Sequence, residues 1–254
     1  MIVLHLDLDN TVIYSYKKDI GQYKRTVEIY HEREISFITE KTYELLKKVK
    51  EKMLVVPTST RTIEQYERIR LGVGRFPYAL VCNGGILLIN GERDPEWYKD
   101  SLKNIKESRD ELDKAIKFLE KDIRRSFELR FIEELFIFTK CEGPDRVVKD
   151  LKEKLDISKA DVFHNGTKVY VVPKNLSKGN AVKRFKKYIE ADMVIAAGDS
   201  EFDISMLLEA HKGLAPYGLC KDFGMDMEWS EAKEGELFSE YVLRECMKIA
   251  EAHV

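Results

Sequence analysis

The chain has 254 residues, enough for one large domain or for a core domain that carries an insertion. Its 43 basic and 45 acidic side chains leave a formal net charge of -2, which offers no basic footprint for nucleic acid. Cys82, Cys141, Cys220 and Cys246 lie far apart and form no C-x-x-C pair, which argues for free thiols and against a disulfide frame or zinc site. No apolar run reaches membrane-spanning length, and the N-terminus enters Ile2 to Leu6 without a basic start or cleavage site, so a cytoplasmic protein is expected.

Residues 2–8 form a short apolar run ending in Asp7-Leu8-Asp9-Asn10-Thr11. Runs that are apolar at nearly every position suit strands covered on both faces, as in a parallel sheet. Leu54 to Val56, Ala79 to Cys82 and Met193 to Ala197 have the same character. Helical spacing precedes each: Leu45, Val49 and Met53; Ile63, Tyr66 and Ile69; then Ala181, Phe185 and Ile189. Strands alternating with helices predict an α/β fold with a doubly wound, Rossmann-like parallel sheet.

Two stretches interrupt that rhythm. Thr26 to Tyr30 and Glu34 to Phe37 predict a hairpin beside the carboxyl end of the first strand, where open α/β sheets bind ligands. From about Pro95 the pattern becomes helix, strand, strand, helix, strand, strand. Leu102, Ile105, Leu112, Ile116, Leu119 and Ile123 predict a helix lying on a small sheet of its own. Asn165-Gly166 marks the turn of the last strand pair. The predicted layout is a core of residues 1–91 and 173–254 with an inserted α+β domain at 92–172.

Four features at strand ends or helix starts carry chemistry. Asp7 and Asp9, two apart at a strand exit, can share one task, one attacking and the other transferring protons. An Asx turn would use the same residues, and D-x-D-x-T arises by chance in roughly one chain in thirty of this length. Thr58-Ser59-Thr60-Arg61 offers hydroxyls and N–H groups to a phosphate, or equally a helix cap. Lys178 opens a later helix, where a lone lysine is usually a solvated charge. Asp199 and Asp203, in Gly198-Asp199-Ser200-Glu201-Phe202-Asp203, could hold a hard cation, although Ser200 and Asp203 also have capping-box spacing. Parallel strands bring their carboxyl ends to one side, so the four features converge. Four carboxylates beside one lysine then call for a metal.

In that order and strand context, the sequence resembles the haloacid dehalogenase superfamily of phosphohydrolases over essentially its whole length. Asp7 to Thr11 match the first motif, Ser59 the second, Lys178 the third, and Asp199 with Asp203 the fourth. The insertion between the second and third motifs resembles the type-two cap of Cof-type hydrolases and sucrose-phosphate phosphatases. Ser59-Thr60-Arg61 stands where Cof-like proteins have Thr-Gly-Arg, and Phe202 where many relatives have Asn.

The resemblance implies Asp7 as nucleophile, Asp9 as acid and base, and Ser59, Thr60 and Lys178 around the phosphate. It implies Mg²⁺ held by Asp7, Asp9 through its backbone carbonyl, Asp199 and Asp203. Arg130, Lys140, His164 and Lys168 are candidate contacts from the cap domain, although ordinary solvated residues would look the same. The implied function is hydrolysis of a small phosphorylated metabolite, such as a sugar phosphate, with no nucleic acid or membrane partner. A phosphomutase, a dehalogenase and a catalytically weak regulatory relative are the alternatives, and neither the oligomeric state nor the particular ester can be read from the sequence.

Overall fold

A computed structural model of the protein describes residues 1–223 and 229–253. The chain divides into two compact units, one of Met1–Arg93 with Lys178–Val254 and the other of Asp94–Ser177.

The first unit begins with β1 (Ile2–Leu6), a short β2 (Tyr14–Ser15), a ribbon of β3 (Lys24–Tyr30) and β4 (Arg33–Thr39), then α1 (Glu40–Lys52) and β5 (Leu54–Pro57). Next come α2 (Ile63–Glu67) and an antiparallel trio of β6 (Tyr78–Val81), β7 (Ile86–Ile89) and β8 (Glu92–Arg93). The second unit holds α3 (Pro95–Asn104), α4 (Arg109–Lys121), β9 (Arg130–Ile132), β10 (Phe136–Lys140), α5 (Pro144–Lys154), β11 (Ala160–Asn165) and β12 (Lys168–Pro173). The chain returns to the first unit with α6 (Lys178–Tyr188), β13 (Met193–Ala197), α7 (Glu201–Glu209), β14 (Lys212–Ala215), α8 (Leu219–Asp222), β15 (Ser230–Glu231) and α9 (Phe238–Ala252).

The main sheet has the order β15-β14-β13-β1-β5, and every pairing in it is parallel. Its central strands are apolar throughout because both faces are covered. On one face Leu4, Leu6, Val55 and Ile195 pack with Leu46 and Val49 of α1 and Val242 and Cys246 of α9. On the other, Val194 and Ala196 pack with Val182 of α6 and Met206 and Leu207 of α7. His5 is wholly buried with its ring edge-on to Phe185, and burial drives its pKa down to about 3. It is therefore neutral at physiological pH, with Nδ1 3.0 Å from the Thr58 hydroxyl.

The run at Ala79 to Cys82, expected as a further strand of the parallel sheet, departs from that reading. It meets Thr58, the residue just beyond β5, through a single parallel bridge at Leu80, and otherwise starts the antiparallel trio. The left-handed backbone of Cys82, Asn83 and Gly84 turns the chain back on itself directly after β6.

In the second unit, a four-stranded antiparallel sheet of order β11-β12-β10-β9 packs one face against α4 and α5. The apolar spacing from Leu102 to Ile123 predicts one continuous helix, but the structure has two. Ile105 leaves the helical conformation at φ -97 and ψ 4, and a 3₁₀ turn at Lys106–Ser108 joins α3 to α4. Beyond α4, Asp122 accepts from the backbone N–H of Arg124 and pairs with its guanidinium, which turns the chain away. Ile123 is consequently 98% exposed, whereas Leu112 and Leu119 are fully buried.

This division of the apolar series has a measurable consequence. Leu119→Ala should cost about 2–5 kcal/mol of unfolding free energy in denaturant titration. Ile123→Ala should stay within about 0.5 kcal/mol of the parent. Comparable losses for both would contradict the helix boundary at Lys121.

Candidate active site

Register places the chemistry. Leu6 of β1 lies opposite both Ala197 of β13 and Pro57 of β5, so these three strands end level with one another. The next residues are Asp7, Gly198 and Thr58. Asp7 N–H donates to the Ala197 carbonyl at 2.9 Å, and Thr58 N–H donates to the Leu6 carbonyl at 2.9 Å. Beyond Asp7 the chain folds tightly: the N–H groups of Thr11, Val12 and Ile13 all donate to the Leu8 carbonyl. Asn10 takes a left-handed conformation at the centre of this turn.

Lys178, the first residue of α6, is 1% exposed. Its ammonium lies 2.5 Å from Asp7 Oδ1 and 2.5 Å from Asp203 Oδ1. Although burial opposes a charged lysine, the Asp203 and Asp7 carboxylates hold the ammonium charged, above its ordinary range. Burial pushes the Asp7 carboxyl well up; Lys178 pulls it down, and Asp203, Asp199 and Asp9 push it further up. Asp199 is pushed to about 7, first by burial and then by Asp203. The Thr11 hydroxyl donates to Asp199 Oδ1 at 3.2 Å.

Asp7, Asp199 and Asp203 each offer an oxygen within 4.8 Å of the other two. Three carboxylates against one ammonium leave two negative charges if all are ionised, and the donors are hard oxygens. That set suits a divalent cation of the Mg²⁺ type. The carboxylates are not equivalent, however. Asp203 Oδ1 is taken by Lys178, while Oδ2 accepts from Asp199 N, Ser200 N and the Ser200 hydroxyl at 3.1, 3.0 and 2.8 Å. Asp203 therefore both caps α7 and fixes Lys178, so the capping-box spacing and the charged cluster are one arrangement.

The second motif resolves as cleanly. The cap of α2 is Thr62, whose hydroxyl accepts from Gln65 N–H while the Gln65 side chain accepts from Thr62 N–H. Thr58, Ser59 and Thr60 are thus not needed as the helix cap. The Thr58 hydroxyl points inward, donating to the Val56 carbonyl at 3.1 Å. Ser59 Oγ accepts from Arg61 N–H at 3.2 Å, and Asn83 N–H donates to the Ser59 carbonyl at 3.0 Å. Thr60 is partly exposed on the same turn.

Arg61, quoted from the sequence without a role, holds Asp9. Its Nε and Nη2 donate to the two Asp9 oxygens, both at 2.7 Å. On its other side it meets Glu28 of β3, a residue the sequence reading passed over. The sequence signal for Arg61 is an arginine one turn beyond a strand end; Glu28 carries none, because a bulge rather than strand alternation buries it.

In the second unit, Arg130 pairs with Glu128 and lies over the Phe127 ring, as Lys140 does at 4.8 Å from its centroid. His164 bridges Asp145 and the Gly166 carbonyl. Lys168 is exposed, in register with Lys140.

Gly198 is required by this packing. A Cβ there would lie 2.3 Å from both Cβ and Cγ of Asp203. Gly198→Ala is expected to displace Asp203 and cost about 1–3 kcal/mol of stability, read from the urea midpoint. An unchanged midpoint would refute the close approach.

Residues 87–215 match the haloacid dehalogenase-like hydrolase family. A phosphoglycolate phosphatase of Sulfurisphaera tokodaii is 30% identical over 195 residues, covering 74% of this chain and 75% of its own. Among solved structures, the sucrose-phosphatase of Synechocystis, in complex with sucrose and phosphate, superposes with a TM-score of 0.65 at 16% identity, covering 99% of this chain and 98% of that one. A Thermoplasma acidophilum protein superposes with a TM-score of 0.61 at 14% identity, covering 97% and 99%. These two likenesses establish the fold, an α/β core of the type seen in capped phosphatases. Among the described residues no helix is long and apolar enough to cross a membrane. The chain belongs to the haloacid dehalogenase-like hydrolases and is a phosphatase.

Proposed function

We propose that the protein hydrolyses a small phosphate monoester through an aspartyl-phosphate on Asp7, with Mg²⁺ as cofactor. The observation that carries this reading is the buried Asp7–Lys178–Asp203 chain beside Asp199, at the shared end of three parallel strands.

The roles follow from the groups present. The Asp7 oxygen not bonded to Lys178 attacks phosphorus, and the bond from phosphorus to the ester oxygen breaks. Asp9, entering the step in its protonated form, gives its proton to that departing oxygen, so an alcohol leaves and the Asp9 carboxylate remains, paired with Arg61. Water then attacks the phosphorus of the aspartyl-phosphate and passes a proton to Asp9, releasing phosphate and restoring the Asp7 carboxylate. Lys178 holds Asp7 in place and offsets charge on the phosphoryl oxygens. The Ser59 hydroxyl and Thr60 complete the phosphate-binding set. Asp7, Asp199 and the Asp9 carbonyl are the proposed direct metal ligands, with Asp203 acting beside them because both its oxygens already accept hydrogen bonds. When bound there, Mg²⁺ neutralises the surplus carboxylate charge and polarises the phosphoryl group.

Sugar phosphates and phosphoglycolate are the first esters to screen for phosphate release, given the relatives that share the sequence and the fold. We assign selection among esters to the inserted unit.

Asp7→Asn should lower turnover of the best ester more than about 1000-fold while leaving the melting temperature close to that of the parent. Turnover near the parental rate would refute Asp7 as nucleophile.

Metal binding should also depend on pH. A carboxyl that titrates near 7 must lose its proton before it binds a cation, so protons and Mg²⁺ compete at Asp199. Mg²⁺ affinity, followed calorimetrically, should rise as pH climbs through about 7 and weaken below it. Asp199→Asn should weaken binding and flatten that dependence. Full phosphatase activity in excess chelator would contradict the metal assignment.

A further inference from the structure

The β3–β4 ribbon carries a buried carboxylate that the reaction scheme leaves unused. Pairing between the two strands runs regularly until Thr26 opposite Phe37 and then slips, with Glu28 opposite Ser36 and Ile29 opposite Glu34. Val27 is skipped, and this bulge buries two consecutive residues, Val27 at 3% and Glu28 at 1% exposure. Regular alternation would have sent one of them to solvent.

Buried, Glu28 is surrounded by donors. Arg61 Nη1 reaches Oε1 and Arg61 Nη2 reaches Oε2, both at 2.9 Å. Arg68 Nε lies 3.3 Å from Oε1, and the Ser36 hydroxyl donates to Oε2 at 2.8 Å. Burial opposes its ionisation, but the Arg61 hydrogen bonds outweigh that and hold the carboxyl below its ordinary range. Each of the five guanidinium N–H groups of Arg61 then has an acceptor. Nε serves Asp9, Nη2 serves Asp9 and Glu28, and Nη1 serves Glu28 and the Gln65 carbonyl at 3.2 Å. A planar donor with no free N–H cannot turn without breaking a bond, so its position is fixed from the Glu28 side.

Exposure falls along this chain. The side chain of Asp9 is 49% exposed, that of Arg61 13% and that of Glu28 1%. The Asp9 carboxylate, with both oxygens on the Arg61 fork, stands where Arg61 places it.

We propose that Glu28 is a positioning residue for the phosphatase reaction, acting through Arg61 to set where the Asp9 carboxylate stands. This rests on the reading of Asp9 as the acid and base. The β3–β4 ribbon is thereby a part of the catalytic apparatus that touches no reacting atom. Its effect falls on both proton transfers of Asp9, but only the one to the departing oxygen varies with how badly that oxygen needs a proton.

The test uses the full chain loaded with Mg²⁺ and two esters. Glycerol 2-phosphate has an alkoxide leaving group that requires protonation, whereas p-nitrophenyl phosphate has one that departs without it. Glu28→Gln should lower kcat/KM, which reports the steps up to departure of the leaving group, by about 10-fold or more on glycerol 2-phosphate. Its loss on p-nitrophenyl phosphate should be several-fold smaller. In an Asp9→Asn background, Glu28→Gln should add no further loss, because the residue it acts through is already disabled. Equal losses on both esters, or a further loss in the Asp9→Asn background, would show a merely structural role and overturn the proposal. So would a folded Glu28→Gln enzyme with parental kcat/KM on glycerol 2-phosphate while Asp9→Asn is impaired. Parental activity of Asp9→Asn on that ester would overturn the acid–base reading, and this proposal with it. Should Glu28→Gln lack a cooperative melt, Glu28→Asp, which keeps the charge but shortens the reach, is judged by the same criteria.

Discussion

The Lys178 ammonium, itself 1% exposed, touches one oxygen of Asp7 and one of Asp203 at 2.5 Å each. An isolated buried charge would cost several kcal/mol, and removing either carboxylate would leave the ammonium poorly compensated. This pairing ties three separate stretches of sequence together. Asp7 follows β1, Lys178 starts α6, and Asp203 lies in the first turn of α7. Other groups then take their places from it. Asp203, held by Lys178, uses its second oxygen to order the Asp199–Ser200 backbone, and Asp199 meets the Thr11 hydroxyl of the turn after Asp7.

The same site shows economy in how polar groups are satisfied. Helix capping and charge pairing are often treated as rival explanations of one residue, yet Asp203 accepts from the N–H groups of Asp199 and Ser200 at the start of α7 while it holds a lysine. At the second motif the two tasks are divided: Thr62 caps α2, Thr58 serves the sheet interior, and Ser59 remains on the exit turn. Arg61 extends the logic outward by joining Asp9 to a buried glutamate of the neighbouring ribbon.

Much of this was legible in the sequence because it rests on short-range pattern. Continuous apolar runs announced β1, β5 and β13, and a parallel sheet aligns their ends, with Asp7, Ser59 and Asp199 one or two residues beyond them. What escaped depends on contacts remote in sequence or on local breaks in regularity. Lys212–Ala215 and Ser230–Glu231 are too short, and the former contains Gly213, for an alternation signal to mark them as strands. Ala79 to Cys82 has the apolarity of a parallel strand, but left-handed residues after it commit it to a hairpin. The spacing around Ile105 is compatible with an unbroken helix, and only the backbone shows the 3₁₀ turn. Glu28 was hidden because a bulge, not alternation, buries it.

The first unit is assembled from two ends of the chain, and this constrains the order in which it can form. β1 sits between β5, close in sequence, and β13, which follows the entire second unit. During synthesis one edge of β1 lacks its parallel neighbour until residues near 197 have emerged, and Asp7 lacks its lysine until just before then. The second unit, continuous from Asp94 to Ser177, has its sheet and covering helices complete earlier. Closing the long loop between β1 and β13 is an entropic cost met only when both strands are present. A locally folded second unit shortens the effective length of that loop, so an insertion in the middle of the chain also serves as a scaffold for joining its ends.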